Sequence, residues 1–282
     1  MISIRTNTQS LTAQRSLSQT QMQLQKSMNR LSTGLRINRA GDDAAGLAIS
    51  ESFRAQIRSL GQAERNANDG ISLLQTAENT MNELSSIMIR MRELATQSAT
   101  DTVSVQQRGY IEQEAAALRT EVDRLASVTE FNGIPLLDGS ATNLDLQIGI
   151  NNTAADRITF SFPAMDSATL GTAGGGAALS TTDLSTKAGA QAALGIVDAA
   201  INDISSERAG IGATENRLQV TITNLQSARE NLSAANSRIR DTDVAAETAA
   251  LTRNNILMQA GTNVLSQANQ LPSIALSLLG GG

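Results

Sequence analysis

Few side chains in this sequence are placed to do chemistry. Asp42-Asp43 is an adjacent carboxylate pair of the kind that can divide general acid and base work. Asn151-Asn152-Thr153 and Asn231-Leu232-Ser233 match the acceptor triplet for N-linked sugar, and Gly171, Gly174, Gly175 and Gly176 make a glycine-rich stretch of the sort that elsewhere cradles phosphate. Each lacks its necessary surroundings. Nothing near the aspartates would hold a substrate or shift a pKa, whereas acids just before a helix are favoured by the positive end of its dipole. No secretory signal accompanies the triplets, and no strand-then-helix pattern frames the glycines. With no His and no Cys among 282 residues, serine and cysteine triads, zinc sites and thiol redox chemistry are excluded. The sequence predicts no enzyme, no metal and no cofactor.

The remaining information lies in periodicity. Leu194, Val197, Ile201, Ile204, Ile211, Leu218, Ile222, Leu225, Leu232 and Ile239 are spaced by three, four or seven, a heptad seam. Ile57, Leu60, Ala67, Ile71, Leu74, Met81, Leu84, Met88 and Met91 follow a similar rule with the drift of a straighter helix. Residues 46–98 and 186–238 would each span roughly 80 Å at 1.5 Å per residue, so the two stripes can pair along their whole length as a rod. The composition fits: 40% hydrophobic but only 2% aromatic, which suits a thin bundle of Ala, Leu, Ile and Met. Glu64, Glu78, Arg208, Glu215 and Arg229 interrupt the seams, either as partly exposed points of the bundle or as residues that fix register.

Residues 1–35 carry a sparser stripe (Ile4, Leu11, Leu17, Leu24, Met28, Leu31, Leu35) with uncharged flanks, broken at Gly34 and Gly41 before a helix start at Asp42-Asp43. Ser104 and Gln107 fit a capping box that opens a shorter helix after the turn at 98–102. Asn132-Gly133 supplies a tight left-handed turn. Leu144, Leu146, Ile148 and Ile150, then Ile158, Phe160 and Phe162, alternate as a β-hairpin, with Phe131, Phe160 and Phe162 expected to form a satellite core of their own. Residues 163–184 are glycine-, serine- and threonine-rich and predict a surface loop. After Arg240-Asp241-Thr242-Asp243 a last helix carries Leu251, Leu257, Ala260, Val264, Ala268 and Leu271, with a stop expected at Pro272. The fold class is therefore mainly α: a long antiparallel helical bundle or coiled coil with a small β-hairpin region and termini paired as helical arms. A formal charge of −5 argues against nucleic acid, and no apolar run of about 18 residues argues for a membrane.

Arg30-Leu31-Ser32-Thr33-Gly34-Leu35-Arg36-Ile37-Asn38 and Gly41-Asp42-Asp43-Ala44-Ala45-Gly46-Leu47-Ala48-Ile49 resemble the N-terminal signature of bacterial flagellins. Asn68-Asp69-Gly70-Ile71, Arg92-Glu93-Leu94-Ala95 and Phe131-Asn132-Gly133 resemble later landmarks in the right order. Ser237-Arg238-Ile239-Arg240-Asp241-Thr242-Asp243, with Gln259-Ala260-Gly261-Thr262 and Gln267-Ala268-Asn269-Gln270, resembles the C-terminal signature. The resemblance covers roughly residues 1–150 and 186–279. It implies a secreted structural subunit that polymerises into the flagellar filament, exported through the flagellar type III channel, in a short form without variable outer domains. Alternatives are a hook–filament junction protein or, from another class, a helical signalling rod.

The resemblance further implies inner-tube arms at 1–44 and 240–282 that order on assembly, and an outer-tube rod at 45–239 containing the hairpin region 132–165 and a flexible loop 166–185. Implied partners are further copies of the chain, an export chaperone, filament-cap and hook-associated proteins, and the vertebrate flagellin-sensing Toll-like receptor. Arg90, Leu94 and Glu114 fall where receptor and inter-subunit contacts are expected. Leu24, Met28, Leu31, Leu257, Val264 and Leu271 are expected in inner-tube assembly or chaperone binding. Thr159, Ser161, Ser167, Thr169, Thr172 and Ser180 are candidate O-glycan positions.

Overall fold

The computed structural model describes residues 6–141, 143–172 and 175–279, without the side chains of 271–279. In chain order the helices are α1 (Thr8–Thr33), α2 (Ala44–Ser98), α3 (Val105–Val128), α4 (Lys187–Arg240) and α5 (Val244–Leu279); between α3 and α4 lie β1 (Glu130–Phe131), β2 (Ile134–Pro135), β3 (Leu144–Gln147) and β4 (Arg157–Phe160). The residues divide into two compact units, 1–57 with 230–282, and 58–229. The divisions expected at residues 44 and 240 are therefore not where the units part. α2 begins at Ala44 and α4 ends at Arg240, and the units part inside both helices, so each long helix contributes to both units.

In the unit of residues 58–229 the two predicted stripes face each other. Leu74, Met81, Leu84, Met88 and Met91 of α2 share one buried cluster with Val197, Ile204, Ile211, Leu218 and Ile222 of α4. The seam polar residues pair across it. Arg229 bonds Glu64 at 2.6 Å, Arg208 meets Glu78 at 3.5 Å, and Arg92 bonds Asp198 at 2.6 Å. As one residue number rises the other falls, the signature of antiparallel packing. Such exposed pairs contribute about 0–1 kcal/mol each. Their larger effect is on register, because a slip by one heptad would separate all three pairs. Glu215 lacks a cation, and its carboxyl is pushed upward by burial and then by the Glu78 charge.

α3 starts as its sequence predicts. The Ser104 side chain accepts the Gln107 amide while the Gln107 side chain accepts the Ser104 N–H. Arg108, which sequence reasoning passed over, is buried and donates to the carbonyls of Ser98 (2.9 Å) and Thr100 (2.6 Å), clamping the reversal between α2 and α3. Asn132 and Gly133 take φ of 52° and 77°, the left-handed turn that joins β1 to β2. The predicted hairpin forms as β3 and β4 with Leu146 opposite Ile158, its strands ending at Gln147 and Phe160 where the alternation suggested Ile150 and Phe162. Gly70 lies beneath it: a Cβ there would force the end of the Leu146 side chain to move.

Two expectations about this region are corrected. Phe131, Phe160 and Phe162 form no satellite core; they pack with Ile158, Leu136 and Leu137 into the same cluster as α2 and α4. The segment 166–185 is not a surface tether in its described part. Leu170, Leu179 and Leu184 are fully buried, and Asp123 of α3 accepts from the Ser167 N–H at 2.7 Å while Asp203 of α4 accepts from the Gly171 N–H at 2.9 Å. Its composition lowered its apparent hydrophobicity, yet three well-spaced leucines and carboxylates from neighbouring helices suffice to fix it.

In the other unit α1 lies against α5. α1 begins at Asn7, whose side-chain oxygen accepts the Ser10 N–H at 3.0 Å, and ends at Gly34, φ 70°, whose N–H bonds the Arg30 carbonyl. Asp43 caps α2 through the Gly46 N–H at 2.9 Å, and Asp243 caps α5 through the N–H groups of Ala245 and Ala246, both as expected of acids before helices. The stop expected at Pro272 does not occur; α5 continues to Leu279. Proline deprives the Ala268 carbonyl of its usual donor four residues on. The Asn7 side-chain amide fills that vacancy, donating to the Ala268 oxygen at 2.7 Å.

Asn7→Ala should therefore cost about 1–2 kcal/mol of protection against opening of the arm ends, measured by amide exchange where both arms are helical. In a Pro272→Ala background, where residue 272 supplies its own N–H, the cost of Asn7→Ala should fall to that of the N-cap alone.

Candidate assembly interface

The facing surfaces of α1 and α5 follow a strict heptad, though not the one their large residues suggested. On α1 the seam positions, all buried or half-buried, are Ser10, Ala13, Leu17, Thr20, Leu24, Ser27 and Leu31; on α5 they are Glu247, Leu251, Asn254, Met258, Gly261, Leu265 and Ala268, with Arg30 and Ala250 half-buried beside them. The spacing alternates three and four, but many occupants are small or polar. Small side chains let the backbones approach, and Ser10 donates to Asn269 at 2.7 Å across the pair.

Other large apolar residues lie outside that seam. Leu11, Met22 and Met28 of α1 and Val244, Ile256, Leu257 and Val264 of α5 are all exposed. Leu257, Val264 and Gly261 join Ala13, Leu17 and Thr20 around an open groove of about 870 Å³ along the pair. Of the six residues expected at an inner interface, Leu24 and Leu31 are thus in the α1–α5 seam, while Met28, Leu257 and Val264 face outward. The Leu271 side chain, like Ile4, lies outside the described residues.

The two signature segments meet. Leu35 forms an antiparallel bridge with Asp241, the Arg36 N–H bonds the Arg240 carbonyl at 2.6 Å, and the Thr242 N–H bonds the Gly34 carbonyl at 2.9 Å. The Arg36 guanidinium donates to the Ile239 carbonyl, and Arg240 pairs with Glu51 at 2.6 Å. Residues two hundred positions apart thus strap the bases of both arms together. Asp42 adds a lock. Lys26 of α1 reaches it at 2.9 Å, and its other oxygen accepts the N–H groups of Arg39 and Asn38. The Lys26 bond, followed by the Arg39 N–H, lowers the Asp42 carboxyl to about 2. The sequence placed nothing beside Asp42 able to shift its pKa, because Lys26 is one helix earlier in the chain.

Arg90, Leu94 and Glu114 do not form one surface. Arg90 bonds Glu114 at 2.7 Å and Glu93 at 2.9 Å on an exposed face, and these partners raise its already high pKa, Glu114 first. Leu94 is 1% exposed, packed with Ile111, Ala115, Leu184 and Ala193. As a direct contact for a partner of the folded chain it is unavailable. Its helical spacing from Met91 and Met88 already marked it as core.

The candidate glycan positions also separate. Thr159, Ser161, Thr169, Thr172 and Ser180 are exposed, whereas Ser167 is buried with its hydroxyl donating to Asp123 at 3.0 Å. Ser167 is corrected to a structural residue. Among the described residues no group of three or more His, Cys, Asp or Glu is placed to hold a metal, and no helix is long and apolar enough to cross a membrane.

Comparison with known proteins decides what this arrangement belongs to. Residues 4–142 match the model of the bacterial flagellin N-terminal helical region, and residues 194–279 that of the C-terminal helical region. The chain belongs to the bacterial flagellin family. It is 45% identical to a flagellin of Halalkalibacterium halodurans, over 97% of this chain and 98% of that one. It is 43% identical to a flagellar filament 33 kDa core protein of Treponema phagedenis, over 97% and 98%. With a flagellin of Bacillus subtilis it shares 44% identity over 90% and 92%. The matched regions contain the paired arms, the straps and nearly all of α2, α3 and α4. This flagellin is a structural subunit of the flagellar filament, and the junction-protein and signalling-rod alternatives are not favoured.

The Asp42 lock should make the arms acid-sensitive. Asp42 has a lowered folded pKa, so its contribution is complete above its ordinary value of 3.8 and disappears as pH falls through about 2. Light scattering of filaments against pH should show Asp42→Asn filaments less resistant to dissociation than wild type above pH 3.8, with the difference vanishing near pH 2.

Proposed function

We propose that this flagellin is secreted unfolded through the flagellar type III channel and that its arms complete their folding as they enter the filament. The observation that carries the proposal is the set of apolar residues left outside the α1–α5 seam: Leu11, Met22, Met28, Ile256, Leu257 and Val264 are all exposed along helices whose mutual contact mixes small and polar side chains with half-buried leucines. A narrow seam offsets little of the ordering entropy of helices of 26 and 36 residues. Neighbouring copies supply the missing burial. On this reading the α1–α5 pair is the inner tube, the helices and hairpin of residues 58–229 form the outer tube, and the location is extracellular.

The same apolar stripe on α5 gives an export chaperone a surface to hold before assembly, and filament-cap and hook-associated proteins meet the subunit at the filament ends. The exposed hydroxyls of Thr159, Ser161, Thr169, Thr172 and Ser180 are the O-glycan positions consistent with accessibility. Non-enzymatic action follows from the structural role of the family and from a sequence without His or Cys.

Seeded growth tests the assembly mechanism. Short filament seeds should be elongated by wild-type subunits, with amide exchange across α1 and α5 slowing strongly on incorporation. Leu257→Ser with Val264→Ser should lower the elongation rate at least about tenfold, since leaving polar groups in a closed apolar interface costs about 1–3 kcal/mol each. Wild-type rates from the double variant would reject the stripe as an assembly surface.

The receptor contact is assigned to the exposed Arg90–Glu114 pair, with Leu94 supporting it from beneath. Arg90→Ala should abolish most Toll-like receptor reporter activation by monomers while leaving chain stability within about 1 kcal/mol. Leu94→Ala should lose about 2–5 kcal/mol of stability in urea unfolding, so its loss of signal reports packing.

A further inference from the structure

We propose that Met22 and Met28 are oxidation sites through which peroxide blocks addition of a subunit to the filament. The inference rests on the assembly reading above. The methionines of this chain separate into two populations. Met81 and Met88 are 0% exposed and Met91 and Met165 1%, all inside the α2–α4 core, whereas Met22 is 59% and Met28 57% exposed on α1. Met258 is half-buried on the face of α5 turned to α1.

Exposure sets the order of attack, because thioether oxidation needs the oxidant to reach sulfur. At Met22 the approach is open and polar: the side chain lines a recess of about 270 Å³ with Lys26, Asn29, Asn38, Arg39 and Asp42, ample for a hydrogen peroxide molecule and lined with donors to hold it. The sulfur lone pair attacks one peroxide oxygen, the O–O bond breaks, an S–O bond forms, and the displaced oxygen leaves as water after proton transfer. Methionine loses two electrons and peroxide gains them. The product is a polar sulfoxide on a side chain that was an apolar, adaptable filler.

The position of these two residues gives the change its effect. Both lie on α1 outside the α1–α5 seam, among the apolar groups that only another copy would cover. The thioethers are therefore reachable before polymerisation and shielded after it. A sulfoxide must give up hydration when another copy closes over it, at a cost in free energy. Oxidation of free subunits stops growth, while subunits already in the filament are spared.

The test uses full-length chain and filaments treated with hydrogen peroxide, followed by peptide mass mapping and by seeded elongation after removal of the oxidant. In monomers Met22 and Met28 should gain one oxygen well before Met81, Met88, Met91 and Met165. In filaments their oxidation should be at least about tenfold slower. Oxidised monomers should elongate seeds about tenfold more slowly than untreated ones. In a chain carrying Met22→Leu and Met28→Leu, peroxide should leave the elongation rate at its untreated value, whatever that value is. Equal oxidation in monomer and filament, normal growth of fully oxidised wild type, or equal growth loss in the double variant would each overturn the proposal. Failure of untreated wild type to elongate seeds would instead reject the assembly reading beneath it.

Discussion

A helix of 55 residues and one of 54, each with a single apolar stripe and polar residues elsewhere, are stable only if the two stripes cover each other. Registration of α2 against α4 is the constraint on which the rest of the larger unit depends. It brings Arg92 to Asp198, Arg208 to Glu78 and Arg229 to Glu64, and it creates the trough that α3 and the hairpin fill. Glu78 and Arg208, partly exposed and modestly bonded, are better understood as guides to register than as sources of stability.

The arms solve the opposite problem. α1 and α5 meet through a seam in which serine, alanine, threonine, glycine and asparagine are mixed with half-buried leucines and one methionine. Leu11, Met22, Met28, Ile256, Leu257 and Val264 face away, toward space that one copy of the chain does not fill. Specific polar bonds align this weak contact: Asn7 to the carbonyl freed by Pro272, Ser10 to Asn269, Arg36 and Thr242 to the opposite strap. Polar bonds fix geometry at low net energy. An arm pair held this way is oriented yet dependent on further burial, which suits a subunit whose final environment is a polymer.

The segment between the hairpin and α4 shows how composition misleads. Glycine, serine and threonine suggested a free loop, but Leu170, Leu179 and Leu184 reach the core, and Glu112 accepts the Leu184 N–H at 2.7 Å while Arg119 donates to the Thr182 carbonyl. Burial in the folded chain depends on which few residues point inward and on what bonds the backbone finds. Average hydropathy records neither.

Periodicity was enough to establish the long helices, the antiparallel pairing, the capping box at Ser104 and the Asn132-Gly133 turn, because each is written in local spacing or in the conformational preference of one or two residues. Motif resemblance was enough to point to the flagellin family, because ordered blocks at both ends of the chain survive without any three-dimensional information. Neither could say that the two end signatures strap each other, that Lys26 would find Asp42, that Asn7 would carry α5 past Pro272, or that the arms would leave Met28, Leu257 and Val264 facing outward. Those outcomes join residues up to 261 positions apart or choose between two faces of one helix. Only the folded chain decides them, since each depends on which groups from distant parts of the chain come within bonding or packing distance of one another.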